Sequence, residues 1–194
     1  MLSTLDDFSE GMAITGAQIV RYRASFAARL SEHAAKIHNE FSGNGEKLEM
    51  SYKTVSTVTD CTASAAQIYE EIIAHQRAHR AAEIASASCL TGIHKDDLEI
   101  SINGQSARSF ASQGQTRTAA LSIKLSEREI YLAETGEYPV LLLDDVLSEL
   151  DPRRQEFVLN RIGGGQVFIT CCEDDRLAAL TGGRVFTVQN GEVF

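Results

Sequence analysis

The segment Val140-Leu141-Leu142-Leu143-Asp144-Asp145 decides how this chain is read. Four apolar residues running into two acids match a short strand buried on both faces. The C-terminal end of such a strand is where open α/β sheets bind their ligands. Carboxylates there suit magnesium, which takes one or two of them and completes its octahedron with phosphates and water. Successive strand side chains point to opposite faces, so Asp144 and Asp145 are expected to do different work. One can hold the metal or its water while the other addresses an attacking water. The same six residues would also serve as a plain pair of acids closing a buried strand.

Outward from this segment, the second half of the chain alternates strand and helix. Val167-Phe168-Ile169-Thr170 is a second apolar run, also expected to be buried on both faces. Between the two runs, after Pro152, the residues Phe157, Val158 and Ile162 mark an amphipathic helix. Gln113 to Glu134 reads as a long helix, and Asn190-Gly191 centres a terminal hairpin. Leu98, Ile100 and Ile102 alternate before an Asn103-Gly104 turn. The first half is different. Leu5, Phe8, Met12, Val20, Ala27, Leu30, Ala34, Ile37 and Phe41 recur near three and four residues apart, with Gly11 and Gly16 admitting a break. Ser42-Gly43-Asn44-Gly45 ends that helix, Leu48, Met50 and Tyr52 alternate as a half-buried strand, and Ala63 to Ala85 is helical again. Residues 1–88 therefore form a helical lobe with one strand, and residues 89–194 an α/β portion.

Two further segments carry chemistry. Ser112-Gln113-Gly114-Gln115-Thr116-Arg117 opens a helix with a hydroxyl, a glycine and free backbone amides, the makings of an anion site. An ordinary N-cap serine with a polar first turn has the same appearance. Ser148-Glu149-Leu150-Asp151 follows the paired acids closely. Together with the strand and its acids, the three segments point to phosphate chemistry.

Composition narrows the classes. With 194 residues and 43% hydrophobic content the chain can bury a core, which excludes a disordered polymer. Its 18 Lys+Arg against 27 Asp+Glu give a net charge of −9, so it does not coat nucleic acid by charge alone. Any such contact needs a local patch or a partner. No apolar run is long enough for a membrane span and no signal peptide is evident, so a cytoplasmic location is expected. Cys61, Cys89, Cys171 and Cys172 form no CxxC and are expected as reduced thiols.

Phe110 to Thr118, with Ser112-Gln113-Gly114-Gln115 at its centre, resembles the signature of ABC-type ATPases. Val140 to Asp145 resembles their Walker B strand, and Ser148 to Asp151 their D-loop. Within that superfamily the chain is similar to the RecF family of SMC-like ATPases. Gly92-Ile93-His94-Lys95-Asp96-Asp97-Leu98 resembles the segment ahead of the signature, with Ile93 where proline is usual. Gly16-Ala17-Gln18-Ile19, Arg23, Ile37-His38 and Ser42-Gly43 resemble its helical lobe. The resemblance implies an α/β fold, the C-terminal half of an ABC/SMC-type P-loop ATPase head over residues 89–194, plus a mostly helical lobe over 1–88. It implies a role in DNA replication, gap repair, the SOS response and recombination mediation. ATP, Mg2+ and DNA at single-strand/duplex junctions would be the ligands, with a RecR-like partner and an ATP-dependent homodimer of the intact protein.

Carried over by position, Asp144 would hold the magnesium–water system and Asp145 would act on the attacking water, where ABC ATPases usually have glutamate. Ser112, Gln113, Gly114 and Gln115 would face ATP held by another subunit, with Ser112 and Gly114 at its γ-phosphate. Ser148 and Asp151 would line that dimer interface. Cys171 stands after Thr170, where ABC transporters place a switch histidine. No GxxxxGK[ST] phosphate loop occurs in the sequence. Gly11-Met12-Ala13-Ile14-Thr15-Gly16 has the glycine spacing, yet it lies inside a helix and lacks the lysine. The chain thus reads as the C-terminal half of such an ATPase, inactive alone.

Two other classes compete with this reading. One is a non-enzymatic module that binds DNA or a partner through residues 1–88. The other is a metal phosphohydrolase built on Asp144, Asp145 and Asp151. His75 and His79 have zinc-pair spacing without a third ligand and read as a solvated helix face. His94 beside Asp96 and Asp97 reads as structural. Arg21, Arg23, Arg29, Arg77 and Arg80 suit DNA phosphates or surface ion pairs equally.

Overall fold

The computed structural model describes residues 2–43, 45–148, 150–171 and 183–194. Asn44, Glu149 and Cys172, each part of a segment read above, lie outside the described residues. The chain divides into two compact units, residues 1–126 and 127–194.

The first unit is built on α1 (Leu2–Phe41), a single 40-residue helix. Gly11 and Gly16 do not interrupt it. A Cβ on Gly16 would lie 3.3 Å from Ile93 Cγ2 and 3.6 Å from Ile72 Cδ1, so this glycine serves close packing. Ala13, Ala17 and Val20 meet Ile68, Ile72 and Ile73 of α2 (Ala65–Ser86) in one core cluster. α2 starts with a capping box, in which Gln67 N donates to Ser64 Oγ and Ser64 N donates to the Gln67 side chain. Further along α1, Leu30, Ile37 and Phe41 are buried, each worth about 1.5–3 kcal/mol when fully withdrawn from water.

α1 also packs on a three-stranded antiparallel sheet of β1 (Leu48–Lys53), β2 (Asp97–Ile102) and β3 (Gln105–Ser106). Leu48 pairs with Ile102, Met50 with Ile100 and Tyr52 with Leu98. The β1–β2 pairing therefore joins strands on either side of residue 88. Asn103 and Gly104 take φ of 52° and 77° in the β2–β3 hairpin, as a two-residue turn between right-twisted strands requires. A short helix α3 (Ala107–Phe110) leads to α4 (Gln113–Thr135), which runs from the first unit into the second.

In the second unit β4 (Leu141–Asp144) and β5 (Val167–Thr170) form a parallel pair, joined through α5 (Pro152–Arg161). Leu141 pairs with Val167, Leu142 with Phe168, Leu143 with Ile169 and Asp144 with Thr170. The expectation of burial on both faces needs correction. Leu141 and Leu143 are buried, but Leu142 is 70% and Phe168 51% exposed. With period-two alternation, these register partners share the face opposite the buried one.

α5 begins at Asp151 as N-cap with Pro152 following, and it buries Val158 completely. Beyond it, the buried Arg128 guanidinium donates to the carbonyls of Arg161 (3.3 Å), Ile162 (3.2 Å), Gly163 (3.1 Å) and Gly164. It also stacks 3.9 Å from the Tyr138 ring centroid. Gly164, at φ +77°, leaves no room for a side chain, since a Cβ would lie 2.5 Å from that ring. β6 (Val188–Gln189) and β7 (Glu192–Val193) make the expected hairpin, with Asn190 and Gly191 at φ of 53° and 82°.

Candidate functional site

Asp144 is the last residue of β4, and its carboxylate is exposed at the strand's C-terminal end. Thr170, its register partner on β5, donates its hydroxyl to Asp144 Oδ1. Asp145 has already left the strand. Its φ of 52° is left-handed, a conformation that aspartate tolerates better than most residues with a side chain. Asp145 N donates to Thr170, 3.0 Å from Oγ1 and 3.2 Å from the carbonyl oxygen. The two acids therefore diverge by a backbone turn as well as by strand alternation.

Ser148 Oγ lies 2.7 Å from Asp145 Oδ1 and 2.9 Å from the Asp145 carbonyl oxygen, so the serine hydroxyl bears on the acid just upstream. Asp151 accepts from Arg154 N at 3.1 Å as the α5 cap and lies 3.4 Å from Arg154 Nε. Between these residues, Leu147 and Leu150 are buried. The buried Gln155 amide donates to their carbonyls at 2.6 Å and 3.1 Å. One side chain of α5 thus fixes the backbone from which Ser148 and Asp151 project.

In the first unit, Ser112 and Gln115 form a capping box at the start of α4. Gln115 N donates to Ser112 Oγ at 3.2 Å, and Ser112 N donates to Gln115 Oε1 at 2.9 Å. Capping uses Ser112 Oγ as an acceptor, so its O–H remains a donor for an anion at the same helix end. The Gln115 amide donates to Glu46 Oε1 at 2.8 Å, and Glu46 Oε2 accepts from His38 Nε2 at 3.0 Å. His38 is completely buried, with Nδ1 3.4 Å from Ser122 Oγ on α4. Gln113 and Gly114 occupy the first turn of α4, and the Gly114 carbonyl accepts from Thr118 Oγ1 at 2.8 Å. The start of α4 is therefore tied to α1 through two side-chain hydrogen bonds that meet at Glu46.

No protein-family model matches the chain. Among individual proteins, the DNA replication and repair protein RecF of Lactobacillus johnsonii is 43% identical over 168 residues, 86% of this chain and 45% of the relative. RecF of Clostridioides difficile is 37% identical over 191 residues, 97% of this chain and 51% of the relative. A solved structure of the recombination mediator protein RecF-ATPrS in the RecFOR pathway superposes on all of this chain and 50% of its own, with TM-score 0.84 and 34% identity. The chain belongs to the RecF family. It spans about half the length of the curated relatives it matches and corresponds to RecF's C-terminal half.

Set in the RecF fold, Thr170, Gln155, Glu46 and His38 are the supporting residues that motif reading passed over as such. Glu46 and Gln155 lie in no segment singled out above, while Thr170 reads only as a strand residue and His38 only as part of the helical-lobe resemblance. Their partners lie from 5 to 84 residues away along the chain, so only the fold brings them together. The other sequence candidates take structural places. Asp96 accepts from the Tyr52 hydroxyl and from Val55 N at 3.0 Å. Burial first, and then that bond to Asp96, push the Tyr52 phenol well above its usual range. His75 and His79 stack at 4.1 Å between centroids. Burial, and after it the His79 imidazole, hold His75 below its ordinary value of 6.5.

Among the described residues no group of three or more His, Cys, Asp or Glu could hold a metal. Arg23 donates to the Ile93 carbonyl at 2.7 Å, and Arg80 pairs with Asp6. Among the described residues, Cys61, Cys89 and Cys171 are in no disulfide. Among the described residues no helix is long and apolar enough to cross a membrane.

Proposed function

We propose that this chain is the signature-bearing portion of a RecF-type ATPase that acts as a recombination mediator in DNA replication and repair. Its ATP site would be completed by a complementary half carrying the GxxxxGK[ST] loop. The observation that carries this reading is the conjunction of a strand-end Asp144-Asp145, a fixed Ser148–Asp151 turn and an exposed Ser112 cap in a RecF fold. The donor set suits magnesium ATP. Asp144 offers one hard carboxylate at a strand end, which suits a metal that takes its other ligands from phosphate and water. Bound magnesium would supply charge neutralisation on the β- and γ-phosphates.

The chain's own residues would do the rest by position. Thr170, which donates to the Asp144 carboxylate, would orient it toward the metal. Asp145, steadied by the Ser148 hydroxyl, would orient the attacking water. Ser112 and the amides of the first α4 turn would meet the γ-phosphate of ATP held by another subunit, so that ATP joins two heads and Ser148 and Asp151 face the join. DNA at single-strand/duplex junctions and a RecR-like protein are the proposed partners.

The isolated chain should neither bind ATP tightly nor hydrolyse it. Supplying the other half should restore turnover, and Asp145→Asn should then lower it by about 100-fold, in the range of a lost general base. Asparagine tolerates the same left-handed backbone, so the loss would report chemistry. Undiminished turnover would remove Asp145 from this role.

A further inference from the structure

The start of α4 is held by more than a helix cap needs. A capping box is complete with two bonds, and Ser112 and Gln115 make both with each other. Gln115 nevertheless extends its Nε2 to Glu46 Oε1 at 2.8 Å, a partner 69 residues away. The second Glu46 oxygen accepts from Nε2 of His38 at 3.0 Å, an imidazole with no exposure to solvent. His38 Nδ1 lies 3.4 Å from Ser122 Oγ, and that serine gives its own hydrogen to the Thr118 carbonyl at 2.7 Å. The backbone around Glu46 is fixed as well. Glu46 N donates to Ser42 Oγ at 3.2 Å, and Lys47 N to Asn103 Oδ1 at 2.8 Å. All of these groups belong to the first unit.

The donor and acceptor inventory says what this extension does. A glutamine amide carries an oxygen at one end and an NH2 at the other, and either can face a neighbour. Ser112 N needs the oxygen. A carboxylate only accepts, so Glu46 takes the NH2 and leaves Gln115 Oε1 turned toward Ser112 N. His38 occupies the other Glu46 oxygen and keeps the carboxylate from turning away. We infer that Glu46 and His38 are positioning residues for Ser112. They select the Gln115 orientation that closes the box, and the box holds Ser112 with its O–H free at the helix end. The inference rests on the reading of Ser112 as a residue that faces the γ-phosphate of ATP. Neither Glu46 nor His38 would touch that phosphate. A carboxylate one side chain away from an anion repels it, so charge alone gives no reason for an acid at this position, whereas fixing an amide does.

The test exchanges the two partners in the 194-residue chain. Gln115→Glu keeps a good capping residue, because its carboxylate can still accept from Ser112 N, but it sets that carboxylate against Glu46. Amide hydrogen exchange at Ser112 should quicken by about tenfold, as for the loss of a charge-assisted bond. Adding Glu46→Gln turns the pair round. The amide at position 46 then donates to the carboxylate at position 115, and its oxygen still accepts from His38. Ser112 exchange should return to within about twofold of the parent, with α1 and α2 amides unchanged throughout. Parent-like exchange in Gln115→Glu, a double variant no better than the single one, or a rise shared by α1 and α2 would overturn the inference. His38→Leu should quicken Ser112, and His38→Gln, which keeps a donor for Glu46, should not. Equal exchange in those two would overturn the part given to His38.

Inorganic phosphate separates this inference from the ATP reading. Titrated into the parent chain, it should shift the Ser112 and Gln113 amide NMR signals. Glu46→Ala removes an acid and by charge alone would tighten that binding, whereas lost positioning should weaken it by about threefold. Tighter binding would overturn the inference. A parent chain that ignores phosphate while the exchanged pair behaves as expected rejects the phosphate reading of Ser112 and leaves the positioning of its box standing.

Discussion

Asp145 shows how much one residue's backbone can decide. In the sequence it is the second of two acids, separated from Asp144 by strand alternation. In the fold it is left-handed, tied through its amide to Thr170 and through its carboxylate to Ser148. Such a conformation costs about 1–3 kcal/mol and persists where the surroundings hold it. Ser112 likewise serves two readings at once, capping α4 as an acceptor while its hydroxyl hydrogen stays available. Ser112→Ala should destabilise the chain by about 1 kcal/mol in urea titration, with Ser112→Thr recovering most of it. A loss well below that would mean the box seen at Ser112 and Gln115 does not hold α4 in solution. The hydroxyl itself is plain in the sequence; its partner Gln115 is plain only by spacing, and Glu46 not at all.

At the scale of elements, a helix side chain reaches back from α5 to hold the Leu147 and Leu150 carbonyls that follow β4. Gln155 donates to the Leu147 and Leu150 carbonyls from a buried position. Gln155→Leu keeps apolar bulk but leaves both carbonyls without that partner, which should cost about 1–3 kcal/mol in thermal unfolding. Faster amide exchange should then be confined to residues near 147–151; exchange raised evenly over the unit would point to a general packing loss. The elements themselves were legible. α1 and α5 followed from apolar spacing, α2 and α4 from helical composition, and the Asn103-Gly104 turn and the terminal Asn190-Gly191 hairpin from turn chemistry. Gly11 and Gly16 misled in one respect, since a glycine that costs about 1 kcal/mol of helix propensity is retained at Gly16 by the close approach of Ile72 and Ile93.

For the molecule as a whole, pH links the lobe's stability to a loop brace. Burial raises the Glu83 carboxyl, but hydrogen bonds from Thr91 and Leu90 and the nearby His79 outweigh it and hold the group below its ordinary 4.5. A depressed carboxylate stabilises the fold above its unfolded value, and that contribution disappears as pH falls through the folded value. Stability measured by urea titration should therefore drop on acidification below about pH 4.5, less steeply in Glu83→Gln than in the parent chain. An identical slope in the two would rule out this brace.

The sequence by itself determined the class of fold, the order of the main elements and where the three segments proposed for phosphate chemistry lie, because periodicity and turn chemistry are local properties of a chain. It also shows no GxxxxGK[ST] loop, a contiguous motif whose lack can be read directly. Only the tertiary structure decided which face of β4 and β5 stays open and which distant side chains steady Asp144, Ser148 and Ser112. Those depend on groups up to 84 residues apart meeting across helices and strands, and burial belongs to that assembled packing rather than to any stretch of sequence.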